Sequence, residues 1–397
     1  MFILNAHPDH NSALEYADEG MFNADSIHKA ATYIAARPGY AVTPLVSLPG
    51  LASDVAVASI QVKDESARFG LGSFKALGGA YAVIRLVLEM AGKRLNRVVD
   101  MSNIEEEDVR AVAREIVVAC ATDGNHGRSV AQGAQVVGAR SVIFVHAGVS
   151  EARIAAIEKL GAEIVRVQGN YDDSVAQATS TCEREGWMVV SDTSWPGYEY
   201  VPLLVMQGYT AMLTEAIEQL DAPPTHVFVQ AGVGGIAAAT AAFFYLTYGE
   251  RRPQFVVVDP ARAACLYESA RLGARTRVAD AGPTIMAMLE CYEPSLVAWR
   301  ILTRCADAFM TVDEDDAVNA MRLLAKPHEG DQPIVAGESG CVGLAGFLSA
   351  MRDPEIKVAL GIDAESRIFV INTEGATDAT LYERLVGQAP EEVLRGR

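Results

Sequence analysis

The sequence predicts an α/β protein of two lobes, each built on a parallel sheet flanked by helices. Three observations carry that prediction. Short β-branched runs alternate with Ala-rich helical segments along most of the chain. Small-residue turns stand between a run and the helix after it. The 397 residues, half of them apolar, suffice for two cores.

Taken in order, Ile60-Gln61-Val62-Lys63 reads as a strand and Phe74 to Met90 as a helix. Ile116 to Ala119 starts the next unit, with a turn at Asp123-Gly124-Asn125 and a helix to about Val137. Ser141 to Val145 is a strand, Ser150 to Leu160 a helix, Glu163 to Val167 a strand and Asp172 to Glu185 a helix. Trp187 to Ser191 reads as a further strand, and the pattern resumes after the turn Ser194-Trp195-Pro196-Gly197. A helix is expected over Pro202 to Gln219, a strand at Val227-Phe228-Val229, a helix over Ile236 to Tyr248 and a strand over Phe255 to Val258. Later come helices near Asp316 to Leu324 and Gly343 to Met351, and a strand over Ile368 to Ile371. Strands alternating with helices in this way form parallel sheets, whose ligands bind where strand C-termini meet helix N-termini.

Composition narrows the partners. The formal net charge of −18 repels nucleic acid and anionic membrane surfaces, leaving small molecules, although one helix N-terminus can still hold a phosphate. The N-terminal stretch lacks a basic start followed by a long apolar run, and no segment has the apolar length of a membrane span. The six cysteines are scattered without a CxxC pair, as expected of reduced thiols in the cytoplasm. No metal site is expected. His7-Pro8-Asp9-His10 reads as a solvated terminus, and His126 has no second ligand at helical spacing.

Three turns carry chemistry. In Ser73-Phe74-Lys75-Ala76-Leu77-Gly78-Gly79 a lysine opens a helix, where a cation is electrostatically misplaced. A positive helix end and apolar surroundings favour the neutral, nucleophilic amine; the alternative is an ordinary surface lysine. Gly232-Val233-Gly234-Gly235 lies between a strand and an Ala-rich helix, so backbone can approach an anion there. Phosphate binding, a dinucleotide fingerprint with Asp259 as the ribose acid, and a structural glycine turn all fit this segment. Ala121-Thr122-Asp123-Gly124-Asn125-His126-Gly127 either caps its helix through Asp or Asn, or cradles a carboxylate with Asp123 as proton acceptor. Two further polar turns stand out, Gly337-Glu338-Ser339-Gly340 and Asn372-Thr373-Glu374-Gly375.

Together and in this order, these segments resemble the tryptophan-synthase-β-like, or fold type II, enzymes that use pyridoxal 5′-phosphate (PLP). They are most similar to the diaminopropionate ammonia-lyases. The resemblance runs from Lys63-Asp64-Glu65-Ser66 and Arg68-Phe69-Gly70-Leu71 through Phe74-Lys75, Ala121 to Arg128, Asp192-Thr193 with Trp195 and Met206-Gln207-Gly208-Tyr209. It continues to Gly232 to Gly235, Gly337 to Gly340 and Thr373-Glu374-Gly375, covering about Pro38 to Asp378.

The resemblance implies that Lys75 forms the internal aldimine, that Gly232, Val233, Gly234 and Gly235 hold the phosphate, that Asn125 bonds the PLP 3′ oxygen and that Thr373 meets the pyridine nitrogen. A neutral hydroxyl there leaves the ring unprotonated, which favours prompt expulsion of a β-substituent. Lys75 is then the base for an L substrate and Asp123 for a D substrate, with Thr122, Asp123, Gly124, Asp192 and Glu338 binding the substrate. The implied reaction takes 2,3-diaminopropionate or a similar β-substituted amino acid to pyruvate and ammonia. Asp123 and Asp192 suit a β-ammonium group, since a buried cation needs a paired carboxylate.

PLP is expected in the cleft of two lobes, residues 1–83 with 196–397 and residues 84–195, in a homodimer. Met288 and Tyr292 stand where the family pattern has glycines, which reshapes any pocket they line. Cys265 and Cys291 flank that loop and are not assumed to be bonded. Residues 94–110, with Glu105-Glu106-Glu107-Asp108, look like an inserted, solvated helix. The alternatives are a serine, threonine or hydroxyaspartate dehydratase of the same fold, a nicotinamide-dependent dehydrogenase using Gly232 to Ala237, and a PLP-carrying binding protein.

Overall fold

The computed structural model describes the chain except Asp123, Asn170, Gly396 and Arg397 and the side chains of Tyr171 and Asp172. The described strands are β1 (Phe2–Leu4), β2 (Leu45–Ser47), β3 (Ser59–Asp64), β4 (Val117–Ala121), β5 (Arg140–His146), β6 (Glu163–Val167), β7 (Met188–Val189), β8 (His226–Gln230), β9 (Gln254–Pro260), β10 (Ala308–Val312) and β11 (Arg367–Asn372).

They belong to two compact units, one of Met1–Ala24, Val42–Phe74 and Met212–Arg397, the other of Asp25–Ala41 and Lys75–Ala211. The divisions fall at Phe74/Lys75 and Ala211/Met212 rather than at 83/84 and 195/196. A cut at 83 would pass through a packed helix pair. The Lys75–Leu95 and Asn125–Val137 helices lie so close that a Cβ on Gly133 would stand 2.6 Å from Ala80 Cα. The Ala24–Ala35 helix contributes Tyr33 to the same unit, edge-on to Tyr81 with ring centroids 6.1 Å apart.

The sheet of the larger unit runs β1-β10-β9-β8-β11-β3-β2. Its five inner strands are parallel, while β1 and β2 close the two edges antiparallel. β8 and β10 are buried at every residue, because an inner parallel strand is covered on both faces. The three-residue edge strands stay partly exposed and leave little free ladder for another chain. β10 was not among the expected strands: Ala-Phe-Met-Thr-Val has no period that separates it from a helical run.

The smaller unit has four parallel strands in the order β6-β5-β4-β7. β7 is shorter than the expected Trp187 to Ser191, because side chains take over the backbone groups beyond it. Tyr198 Oη donates to Val189 O at 2.8 Å and accepts from Ser191 N at 3.0 Å. The 94–110 region contains a 3₁₀ turn and the start of the Glu107–Arg114 helix. Arg97 pairs with Glu106 and Asp108 there, and Arg110 with Glu105. Val109 and Ala113 are buried beneath these surface pairs, so the helix is packed on one face rather than solvated all round.

Strand order positions the candidate chemistry. β8 and β11 are parallel neighbours, so Gly232 and Thr373 follow adjacent strand ends in the larger unit. β4 and β7 are parallel neighbours in the smaller unit, so Thr122 and Asp192 follow adjacent ends there.

Candidate active site

Lys75 is the first residue of the Lys75–Leu95 helix, as the helix-end reading requires, and its side chain is partly exposed. Its ammonium donates to Asp192 Oδ2, a counter-charge that the helix-end argument alone did not supply. Burial would raise the Asp192 carboxyl, but the Lys75 charge and hydrogen bond hold it well below the usual carboxylate range. Gly78, one turn into the helix, leaves room for Tyr209: a Cβ there would sit 2.6 Å from Val205 O and 2.4 Å from the Tyr209 ring.

Thr122 organises the turn after β4. Thr122 Oγ1 accepts from the amides of Gly124 at 3.1 Å and Gly127 at 3.3 Å. Gly124 is the N-cap residue and Asn125 opens the helix. Asp123, the expected second base, lies outside the described residues. His126 is buried, with Nε2 2.8 Å from Val190 O and Nδ1 3.9 Å from Asp192 Oδ2. The sequence favours a packed or hydrogen-bonded His126 over a metal ligand but does not place it beside Asp192; only the β4–β7 pairing brings them together.

In the larger unit, Gly234 has φ +98° and is the N-cap residue of the Gly235–Tyr248 helix, a left-handed conformation that favours glycine. Gly232 is crowded, since a Cβ would lie 3.0 Å from Cys291 Sγ and 3.3 Å from Leu289 Cα. Val233 O accepts from Ser295 N at 2.9 Å, which ties the loop to the start of the Leu296–Cys305 helix. First-turn amides of such a helix have no acceptor within it, and with glycine backbone at their edge they fit a phosphate.

Thr373 N donates to Gly340 O at 3.1 Å, and Thr373 Oγ1 accepts from Gln230 Nε2 at 2.9 Å. Gln230, fully buried at the end of β8, also donates to Gly340 O at 2.6 Å. It thereby fixes both polar turns, and the sequence reading had not singled it out. Glu338 is buried in the Gly337–Gly340 turn of this unit, whereas Thr122, Gly124 and Asp192 belong to the smaller one.

Several alternatives lose their footing. Asp259 is buried, and its Oδ2 accepts the amides of Leu266 and Tyr267, each at 2.9 Å, so it holds a helix start instead of facing a ribose. Lys63 is a structural cation: its ammonium meets Glu215, Thr43 O and Gln219, each at 2.8 Å. His10 pairs with Asp307 at 3.1 Å, and no cluster of three metal-ligating side chains occurs among the described residues. Cys265 and Cys291 are not joined in a disulfide; burial pushes the Cys265 thiol up, and it donates to Gly232 O at 3.5 Å. Tyr292 Oη reaches Glu290 at 2.8 Å and Asp280 at 3.1 Å, and Met288 N donates to Ser339 Oγ at 3.2 Å. Of the two departures from the family pattern, the Tyr292 side chain therefore ties down the loop that packs on Gly232, while position 288 contributes only its backbone amide.

A lysine at a helix start beside a carboxylate, and a glycine cradle beside a threonine hydroxyl, are the parts a PLP enzyme needs. The family model described as pyridoxal-phosphate dependent enzyme matches residues 36–374, and the chain belongs to that family. Over 362 residues it is 38% identical to the diaminopropionate ammonia-lyase of Escherichia coli, covering 89% of each. It is 36% identical over 376 residues to that of Salmonella typhimurium, covering 92% of this chain and 93% of the relative. A crystal structure of the Escherichia coli diaminopropionate ammonia lyase in complex with D-serine aligns at a TM-score of 0.87 and 34% identity, over 99% of this chain and 98% of that one.

Proposed function

We propose that this chain eliminates the β-amino group of 2,3-diaminopropionate, or of a similar β-substituted small amino acid, giving pyruvate and ammonia. The observation that carries the reading is Asp192, a half-buried carboxylate kept ionised beside Lys75. A β-ammonium needs such an anion, and a β-hydroxyl does not. The diaminopropionate ammonia-lyases that match about nine-tenths of the chain support the same reading.

PLP, when bound, supplies the electron sink that makes the Cα proton removable. In this reading Lys75 carries the cofactor and takes the Cα proton of an L substrate, and Asp123 takes that of a D substrate. Gly232, Val233, Gly234 and Gly235 hold the phosphate, Asn125 bonds the ring oxygen, and the Thr373 hydroxyl donates to the ring nitrogen. Thr122, Gly124, Asp192 and Glu338 orient the substrate. A homodimer, supported by the family resemblance, is tested by sedimentation. A cytoplasmic location, supported by six cysteines that form no disulfide, is tested by fractionation.

The deciding experiment scans absorbance through the near-visible while adding D- and L-2,3-diaminopropionate. A band that changes while pyruvate appears, and that is absent in Lys75→Ala, is the expected result. A band that responds instead to serine, threonine or hydroxyaspartate moves the assignment to a dehydratase. No band after incubation with PLP overturns the reading.

A further inference from the structure

A buried imidazole nitrogen faces a carboxylate oxygen with no proton between them. The Val190 carbonyl can only accept, so the ring proton of His126 sits on Nε2, 2.8 Å away. Burial pushes the imidazole below its ordinary value, so the ring is neutral and Nδ1 carries a bare lone pair. That nitrogen is buried without a hydrogen-bond partner, and Asp192 Oδ2 stands 3.9 Å from it. Two facing acceptors repel, whereas one primary ammonium has protons for both. The Lys75 ammonium serves Asp192 Oδ2 here and leaves His126 Nδ1 unserved.

We propose that His126 Nδ1 and Asp192 Oδ2 together bind the β-ammonium of a 2,3-diamino acid, an inference that rests on the diamino-acid reading above. With Lys75 occupied in carrying the cofactor, the pair presents two acceptors and no donor. Both are weak bases, so they hold the group as –NH3⁺ without removing its proton. When the Cβ–N bond breaks, its electron pair goes to nitrogen and neutral NH3 departs with no further proton needed. A β-hydroxyl has one proton, satisfies one acceptor and leaves the other buried and unpaired, which disfavours serine.

The test uses the holoenzyme and two probes, 2,3-diaminopropionate and D-serine. His126→Phe is expected to raise the KM for 2,3-diaminopropionate tenfold or more. D-serine binding, read from the absorbance change, is expected to stay within twofold. His126→Asn, which keeps an acceptor, is expected to recover most of the loss. Equal weakening of both ligands, or of neither, overturns the proposal. ¹⁵N-histidine spectra of the wild-type holoenzyme give a second readout that needs no variant. The bare Nδ1 resonance is expected to shift on adding 2,3-diaminopropionate and not on adding D-serine, and an unmoved resonance overturns the proposal. If wild-type enzyme releases no ammonia from 2,3-diaminopropionate, the functional reading falls and this inference with it. If ammonia is released and His126→Phe spares the KM, this inference alone falls.

Discussion

Gln230 Nε2 lies 2.9 Å from Thr373 Oγ1, and an amide nitrogen only donates, so the threonine keeps its own proton for another acceptor. An unprotonated pyridine nitrogen is such an acceptor. Thr373→Val keeps the volume and removes that proton. The variant is expected to fold normally and to hold PLP about tenfold more weakly, one hydrogen bond contributing about 1.5 kcal/mol. Fluorescence titration of the stripped enzyme with PLP checks this, and an unchanged affinity contradicts the assignment of the hydroxyl.

Four buried charges form one network in the larger unit. Arg68 donates to Glu65 at 2.7 and 2.8 Å and to Glu215 at 2.7 and 2.8 Å, while Lys63 pairs with Glu215 at 2.8 Å. The arrangement is neutral as a whole and leaves each ion partnered. Arg68→Met leaves two buried carboxylates to one lysine, and breaking a buried pair in this way costs about 3–5 kcal/mol. The urea midpoint of the variant is expected to fall accordingly. A midpoint within error of wild type would mean that the network contributes nothing to the fold.

Most of the strand-and-helix order was legible because inner strands other than β10 are largely continuous β-branched runs followed by Ala-rich helices, as in Phe255-Val256-Val257-Val258 and Gly235–Tyr248. The glycine loop after β8 and Lys75 at a helix start could be read from local spacing for the same reason. What depended on distant pairing could not. The Asp192–His126 juxtaposition needs β4 beside β7, the anchoring of Thr373 by Gln230 needs β8 beside β11, and the unit boundary needs the close approach of Gly133 to Ala80. Lys63 and Lys75 look alike in sequence, each set among functional-looking neighbours. Only burial against Glu215 makes the first a structural ion.

The approach of the two helices in the smaller unit makes Gly133 intolerant of any side chain. A Cβ there would lie 2.6 Å from Ala80 Cα and 2.8 Å from Ala80 O, and backbone cannot yield as a side-chain tip can. Gly133→Ala is expected to cost roughly 1–3 kcal/mol, the usual penalty of overpacking. Gly20→Ala is the control, since nothing lies within 4 Å of its Cβ position in the Tyr16–Phe22 helix. There the gain in helix propensity is expected to stabilise by about 0.5–1 kcal/mol. Urea denaturation of the pair checks both signs at once.

Asp259 gives the fold a pH dependence whose sign is fixed by burial. Its Oδ2 accepts two backbone amides, at 2.9 Å each, and its Oδ1 is buried with no partner. Burial pushes the carboxyl up to about 8, and the two amides oppose this only in part. In the unfolded chain the group ionises near 3.8, so between those values the unfolded state releases a proton that the folded state keeps. The associated stability is fully present below about pH 4, falls as the pH rises towards 8 and is then level. Asp259→Asn keeps an oxygen for the two amides and cannot ionise, so it removes that slope. Wild-type unfolding free energy is therefore expected to fall more steeply than the variant's between pH 5 and 8, by up to about 1.4 kcal/mol per pH unit. Parallel profiles from urea titrations across that range would show that Asp259 is already ionised in the folded protein at neutral pH.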